Sequence, residues 1–361
     1  MTRPPRLSVF TVSHHPQFLD ECLASLAAQT FTDWEWVVLL NSGARWRPAT
    51  DDPRLRVIVD DSVGGVGATK HRVCAELRGE IFVELDHDDL LASTALGKIA
   101  HAFDAQPGVA LVYSHAAQIL EDGSRDDSRY DTRNGWEYHE ASVDGRSVQH
   151  PKSLSPTPHN VSYIWFAPNH VRAYARAAYD RIGGYDPTRH VLDDQDLMCR
   201  LYQDGAFHLI DEVLYLQRMH TRNTQREPET NAFIQSETVA LYDRYVEPNA
   251  LSWARREGLL ALELGATDNH PGYLRVDRHP RPTVDIVASL PDRLPLDDGV
   301  VGVIRAVDFL SHVADKVALI DELYRVLAPG GLLLSNTPSS DGRGAFQDPT
   351  HVAFYNENSF W

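Results

Sequence analysis

The run Glu84-Leu85-Asp86-His87-Asp88-Asp89 closes an apolar segment, Ile81-Phe82-Val83, and places Asp86, Asp88 and Asp89 within four residues. Carboxylates this close repel one another, and just past a buried strand a divalent cation relieves them. The chemistry this allows is metal-assisted. The same residues also suit an acidic turn that caps a helix, because Asp89 precedes Leu90, Leu91 and Ala92 and Asp is a common N-cap. A second acidic cluster far downstream, Asp193-Asp194-Gln195-Asp196, adds weight to the metal reading, although a helix N-terminus stabilised by its dipole would carry the same residues.

The elements that must position these groups follow a strand-then-helix rhythm. Leu7 to Val12 reads as a buried strand and Phe18, Leu19, Cys22, Leu23, Leu26 and Ala27 recur at helical spacing. Trp34–Leu40, Leu55–Val59, Ile81–Leu85 and Val109–Ser114 are further strands, with helices over Gly67–Leu77 and Ala95–Phe103. Alternation of this kind predicts an α/β fold, a mostly parallel sheet with its ligand at the carboxyl ends of the strands. The acidic run sits at such an end. Glu121 to Pro158 is polar and irregular, which predicts a partly ordered binding loop or lid. Val171–Ile182 reads as an ordered stretch with Gly183-Gly184 as a helix stop, Val191–Tyr202 as a helix, His208–Gln217 as containing a strand, and Ala232–Tyr245 as an amphipathic helix. Glu247-Pro248-Asn249 then marks a boundary, giving domains 1–247 and 248–361. A second α/β rhythm follows, with strands Leu259–Leu264, Tyr273–Val276, Val284–Ala288 and Val300–Val307, a helix Leu319–Leu327 and a strand Leu332–Leu334.

Composition bounds the function. A chain of 361 residues suits two cores, and no apolar run reaches the length of about 18 residues needed to span a bilayer. With 34 basic against 51 acidic residues, the net charge of -17 repels phosphate backbones, so nucleic acid is not the expected partner. Cys22, Cys74 and Cys199 form an odd, widely spaced trio that fits reduced thiols. The first residues lack the apolar stretch of a signal peptide, and a cytoplasmic location is the expectation.

Several ordered motifs between Leu7 and Tyr245 resemble the family 2 glycosyltransferases of the GT-A fold. Leu23-Ala24-Ser25-Leu26-Ala27-Ala28-Gln29-Thr30 resembles the end of the family's first helix, and Asp33-Trp34-Glu35-Trp36 the opening of its second strand. Gly64-Gly65-Val66-Gly67-Ala68-Thr69-Lys70-His71 resembles its Gly-rich segment, and Leu85-Asp86-His87-Asp88-Asp89 its DXD motif. Ile182-Gly183-Gly184-Tyr185-Asp186 followed by Asp193-Asp194-Gln195-Asp196-Leu197 resembles the acceptor-side region with the catalytic base, and Arg218-Met219-His220 the closing segment near the diphosphate. The resemblance implies a metal-dependent, inverting transfer from a nucleoside-diphosphate sugar, UDP- or GDP-linked, to a hydroxyl of a glycan, protein or small-molecule acceptor. Asp194 is then the general base, Asp88 and His220 the ligands of Mn²⁺ or Mg²⁺, and Asp86 a partner of the ribose or the metal's water shell. Lys70 stands where a cation meets the diphosphate or a carboxylate, and a solvated helical lysine is the alternative. Asn41 replaces the acidic residue usual after the second strand, and Thr11 and Ser13 stand at the end of the first, near the expected nucleotide. Trp136, His139, Trp165, His170 and Arg172 are candidates for an acceptor site, by stacking on sugar rings and donating to hydroxyls.

Leu262-Glu263-Leu264-Gly265, Val276-Asp277 and Leu323-Tyr324-Arg325-Val326-Leu327-Ala328-Pro329-Gly330-Gly331 resemble class I S-adenosylmethionine-dependent methyltransferases, over Leu259 to Trp361. The resemblance implies Gly265 at the cofactor and Asp277 on its ribose. One glycine stands where the family has two or three, the space before Tyr273 is short for the usual helix, and the sequence stops before the last strands of such a sheet. The expected fold is therefore a GT-A domain with a mixed Rossmann-like sheet, joined to an incomplete Rossmann-like, methyltransferase-type domain that serves packing, homodimerisation or docking. A bifunctional or primary S-adenosylmethionine-dependent methyltransferase is the competing enzyme class, and a non-catalytic nucleotide- or carbohydrate-binding protein is the non-enzyme reading.

Overall fold

Leu7–Ser13 (β1) carries six fully buried side chains out of seven positions, as expected of a central strand covered on both faces. The computed structural model describes residues 3–129, 135–163, 170–220, 228–265 and 270–360. In the first unit, Met1–Pro156 with Asn160–Asp243, β1 pairs in parallel with Trp34–Leu40 (β2) on one side and Ile81–Glu84 (β4) on the other. Leu55–Val59 (β3) extends the sheet beyond β2. The remaining strands are Leu90–Leu91 (β5), Val109–Leu120 (β6), the hairpin Tyr138–Val143 (β7) and Arg146–Pro151 (β8), Arg172–Ala175 (β9) and Ala206–Met219 (β10). The eight-stranded sheet has the order β3-β2-β1-β4-β9-β6-β10-β5. It is mixed: β9 runs antiparallel between β4 and β6, and β5 runs antiparallel to β10.

The helices up to β10 are Leu19–Ala27 (α1), Val66–Cys74 (α2), Ala95–Ala105 (α3), the short Pro158–Ser162 (α4), Arg176–Arg181 (α5) and Asp193–Asp204 (α6), and all but α4 lie against the sheet. One buried cluster gathers Val9, Leu19, Leu26, Trp36, Val83, Leu96 and Tyr215, and a second gathers Phe10, Val37, Val73, Phe82, Tyr113, Tyr174, Tyr185 and Leu197. Leu192, before α6, takes a left-handed backbone (φ 56°), which turns the chain sharply into Asp193 and Asp194.

Three expectations change. The polar stretch after Glu121 contains the β7–β8 hairpin among its described residues, because a two-stranded ribbon off the main sheet needs no apolar pattern. Val171–Ile182 is a strand followed by a short helix, since Arg172–Ala175 is clamped between β4 and β6 and tertiary pairing overrides its helical composition. Glu247-Pro248-Asn249 lie inside the helix Pro228–Arg256 (α7). A proline there gives up one backbone donor without ending the helix.

The second unit comprises Thr157–His159 and Arg244–Trp361. Its strands Leu260–Leu264 (β11), Leu274–Asp277 (β12), Ile286–Val287 (β13), Val301–Val307 (β14) and Leu327–Asn336 (β15) form an all-parallel sheet of order β13-β12-β11-β14-β15. The helix Lys316–Val326 (α8), capped by the Asp315 carboxylate on the Ala318 N–H, packs Leu319, Leu323 and Val326 into the core of this unit. A short helix, Gly344–Gln347 (α9), follows the sheet. Cys22, Cys74 and Cys199 are buried free thiols. No described helix is long and apolar enough to cross a membrane.

Gly67, at the start of α2, is where the Gly-rich segment meets the loop that leads to α6. Its N–H donates to Arg189 O at 3.1 Å, and a Cβ there would lie 2.3 Å from Asp186 O and 2.8 Å from Arg189 O. Backbone oxygens do not yield as side-chain ends do. Gly67→Ala should therefore destabilise the first unit by about 1–3 kcal/mol, read as a lowered midpoint in urea unfolding. An unchanged midpoint would contradict this packing.

Candidate active site

Strand register puts Arg172 directly opposite Glu84, at the carboxyl end of β4. Both are buried, and the Arg172 Nε lies 3.0 Å from Glu84 Oε2. A second cation reaches the same carboxylate from α2, Lys70 Nζ to Glu84 Oε1 at 2.6 Å, while Tyr174 donates its hydroxyl to Glu84 Oε2 at 2.6 Å. From α6, Asp193 Oδ2 stands 2.9 Å from Lys70 Nζ, and Asp194 Oδ2 accepts from Arg172 Nη1 at 2.5 Å. Glu84, Lys70, Arg172 and Asp193 are thus a buried charge network, with the half-buried Asp194 at its edge, supplied by β4, α2, β9 and α6.

Burial opposes the charged forms of Glu84 and Asp194, but the Arg172 and Lys70 cations outweigh it and hold both carboxyls below their ordinary values. Burial pushes Asp193 up, with the like charge of Asp194 acting in the same direction. Asp86, next along the chain, is pushed up to about 7 by desolvation and then by the Glu84 charge. His170 stacks on Tyr215 (centroids 4.5 Å apart) and sits 3.4 Å from Asp86 Oδ2. Burial and then the Arg172 cation push its pKa down to about 3, so the imidazole is neutral and its Nε2 accepts from Arg172 Nη2 at 2.9 Å.

A second focus lies at the end of β10. Asp88 Oδ2 and His220 Nε2 are 2.8 Å apart, both largely shielded. The buried Arg218 fixes this pair's surroundings: its N–H donates to Asp89 Oδ1 (2.7 Å), its Nε to Asp88 O (2.8 Å), and its Nη2 to Glu21 Oε2 (2.7 Å), with the guanidinium over Phe18. Asp89 is thereby a structural bridge between the acidic run and β10, and the Tyr215 hydroxyl, which takes the Asp86 N–H at 3.1 Å, hydrogen-bonds it too. A carboxylate and an imidazole side by side are donors for a divalent ion that draws its remaining ligands from phosphate oxygens, and this pair fits Mn²⁺ or Mg²⁺ in that way.

The other residues expected at the site are placed as follows. Thr11 is buried, donating to Leu85 O (2.7 Å) and accepting from Trp36 Nε1 (2.9 Å), so it ties β1 to β2 and to the acidic run. Ser13 Oγ is buried without a hydrogen-bond partner among the described residues. Asn41 Nδ2 lies 3.4 Å from Val63 O and 3.5 Å from Thr69 Oγ1. Lys70, expected at the diphosphate, at a carboxylate or in solvent, is buried against the Glu84 and Asp193 carboxylates. Asp196 is engaged by Arg200 (2.6 Å) and Arg189 (3.7 Å). His139 is on the β7–β8 hairpin near the His150 ring, Trp136 immediately precedes that hairpin, and Trp165 is outside the described residues. In the second unit Gly265 has φ 67° with Phe309 packed where a Cβ would point. Asp277 accepts the His279 N–H at 2.7 Å and lies 3.4 Å from Arg281 Nη2. The network's hub, Glu84, and its tie to Arg172 were not anticipated. The signal available was a set of charged residues, Glu84, Lys70 and Arg172, inside segments that otherwise read as buried.

The raised Asp86 carboxyl has a measurable consequence. With about 7 in the folded chain against an ordinary 3.8, the folded state binds more protons than the unfolded one across that window, and Asp86 costs stability as pH rises through it. The melting temperature of Asp86→Asn relative to the parent should therefore climb from about pH 4 to about pH 7. A difference that is flat with pH would contradict the assigned environment.

Two family models match separate parts of the chain. Residues 8–164 match the model of Glycosyl transferase family 2 and residues 249–335 the model of a Methyltransferase domain. The O-antigen biosynthesis protein RfbC of Myxococcus xanthus is 32% identical over 134 residues, 35% of this chain and 10% of that protein. A probable S-adenosylmethionine-dependent methyltransferase of Mycolicibacterium smegmatis is 37% identical over 79 residues, 21% of this chain and 30% of that protein. The crystal structure of S. aureus TarS 1-349 in complex with UDP-GlcNAc aligns with a TM-score of 0.48 at 14% identity, covering 69% of this chain and 71% of that one. The chain spans about a tenth to a third of the length of the curated relatives it matches. The chain therefore joins a family 2 glycosyl transferase domain to a partial methyltransferase domain.

Proposed function

We propose that the first unit is a metal-dependent, inverting glycosyltransferase that moves a sugar from a UDP- or GDP-linked donor to an acceptor hydroxyl. The observation that carries the reading is the Asp194 carboxylate, kept ionised by Arg172 and Lys70 in the same network that holds the strand ending in Glu84 and Asp86. An acceptor hydroxyl must lose its proton as its oxygen bonds to the anomeric carbon and the glycosidic bond to the diphosphate breaks. Asp194 takes that proton on a carboxylate oxygen. Its lowered pKa keeps the base charged at neutral pH, and Arg172 fixes its direction. One displacement from the face opposite the leaving group inverts the anomeric centre.

Asp88 and His220 are the residues to hold Mn²⁺ or Mg²⁺ at the diphosphate. When bound, such an ion neutralises the charge that develops on the leaving group. Asp86 and the neutral His170 provide a donor and acceptor pair for hydroxyls of the donor's ribose or sugar. The local similarity to an O-antigen biosynthesis protein supports a glycan among the possible acceptors. For the second unit the favoured reading is a methyltransferase-like packing or docking module, because the Asp277 carboxylate that would take a cofactor ribose is engaged by His279 and Arg281.

Asp194→Asn should preserve donor affinity and lower turnover of the activated sugar by about 10²–10⁴, measured as nucleotide release in the presence of acceptor. Equal turnover in parent and variant would remove Asp194 from the mechanism. A parent chain that binds donor but never turns it over would favour the non-catalytic binding protein.

A further inference from the structure

Two segments of the second unit, far apart in sequence, bring together three side chains that the transfer reaction does not use. His312 ends a short 3-10 helix, Leu310–His312, and Asp348 and His351 lie in the turn after α9. One ligating atom from each lies within 4.8 Å of the others, and among the described residues no other three His, Cys, Asp or Glu side chains converge in this way. We propose that these residues form a binding site for a divalent transition metal, Zn²⁺ foremost.

Both imidazoles have a set tautomer. His351 Nδ1 faces the carbonyl of Ala345 at 2.9 Å, so Nδ1 carries the proton and Nε2 the lone pair. Thr350 donates its hydroxyl to Asp348 Oδ1 at 2.6 Å, so its oxygen, 3.2 Å from His312 Nδ1, accepts from that ring and again leaves Nε2 as the electron-pair donor. A ring nitrogen that donates to a carbonyl or hydroxyl and so orients the other nitrogen is the usual support of a metal-ligating histidine. The scaffold beneath is fixed: the Val352 and Ala353 N–H groups donate to Ser311 O at 2.9 and 3.0 Å, and Leu310, Ala345, Ala353 and Tyr355 are buried. Two imidazoles and one carboxylate suit Zn²⁺, Co²⁺ or Ni²⁺ better than Mg²⁺ or Ca²⁺. His312 and Asp348 are exposed, so an ion there keeps at least one position for water or an outside ligand. Bound, it would clasp the turn after α9 to the loop after β14.

The test uses the tag-free full chain and Co²⁺ alone, followed by visible absorption and calorimetry, with Zn²⁺ added as competitor. His312→Gln and His351→Gln are compared with Asp88→Asn, which reports on the other pair of metal-ligand type, in the first unit. The expected result is a Co²⁺ spectrum of low coordination in the parent and in Asp88→Asn, displaced by Zn²⁺, with affinity at least about tenfold weaker in both histidine variants. The exposed His312 can be replaced without touching the core, so its variant carries the test even where His351→Gln fails to fold. Equal Co²⁺ binding in parent and His312→Gln, or loss of the spectrum in Asp88→Asn alone, would overturn the proposal.

Discussion

The first unit depends on the balance of charge around Glu84. Four carboxyl groups, Glu84, Asp86, Asp193 and Asp194, crowd two cations, Lys70 and Arg172. Glu84 and Asp194 are held down in pKa by the two cations, while burial pushes Asp86 and Asp193 up, as expected where four acids share two cations. This arrangement lets Glu84 and Asp193 be buried with Asp86 and Asp194 half-buried beside them: removing one partner from a buried pair costs about 3–5 kcal/mol. Lys70 and Arg172 are therefore as necessary to the site as the acids they pair.

Each structural choice around this network serves to deliver one of its members. The parallel run of β1, β2, β3 and β4 brings the acidic segment to a common edge, and the antiparallel insertion of β9 sets Arg172 against Glu84 by register. The Gly-rich entry to α2 allows Lys70 to approach from beneath, and the left-handed turn at Leu192 starts α6 with Asp193 and Asp194 at the cluster. Arg218 does the corresponding work on the other side, tying Asp88 and Asp89 to β10 so that His220 stands beside Asp88. Asp194 and the Asp88–His220 pair thus belong to one scaffold, joined through the short stretch from Glu84 to Asp89.

Much of this was legible before any coordinates. The buried strands show as apolar runs because both faces of a central sheet are covered, and the acids of the Asp86 and Asp194 segments stand out because carboxylates are rare beside such runs. What stayed hidden is long-range. Glu84 and Arg172 are strand neighbours only after β9 is inserted antiparallel, and Arg172-Ala173-Tyr174-Ala175 carries no local mark of a strand. The β7–β8 ribbon escapes detection for a different reason: Val143 and Val148 alone give it buried apolar side chains, too few for the alternation that betrays a strand. Pro248 reads as a break by its own chemistry, yet the long helix Pro228–Arg256 includes it. Thr11 and Lys70 show the limit of position alone, since each sits at the end of the sheet where a nucleotide would bind and each is already engaged by its own fold.

The central claim is that Asp88 and His220 present a metal to a nucleoside diphosphate beside an ionised Asp194. The most direct measurement is calorimetric titration of UDP and of GDP into the full chain with Mn²⁺ and with EDTA, in parent and Asp88→Asn. The account predicts that one of the two nucleotides binds the parent with Mn²⁺, that EDTA abolishes the binding, and that Asp88→Asn weakens it selectively in the presence of metal. Nucleotide affinity that is the same with and without metal, or the same in parent and variant, would contradict it.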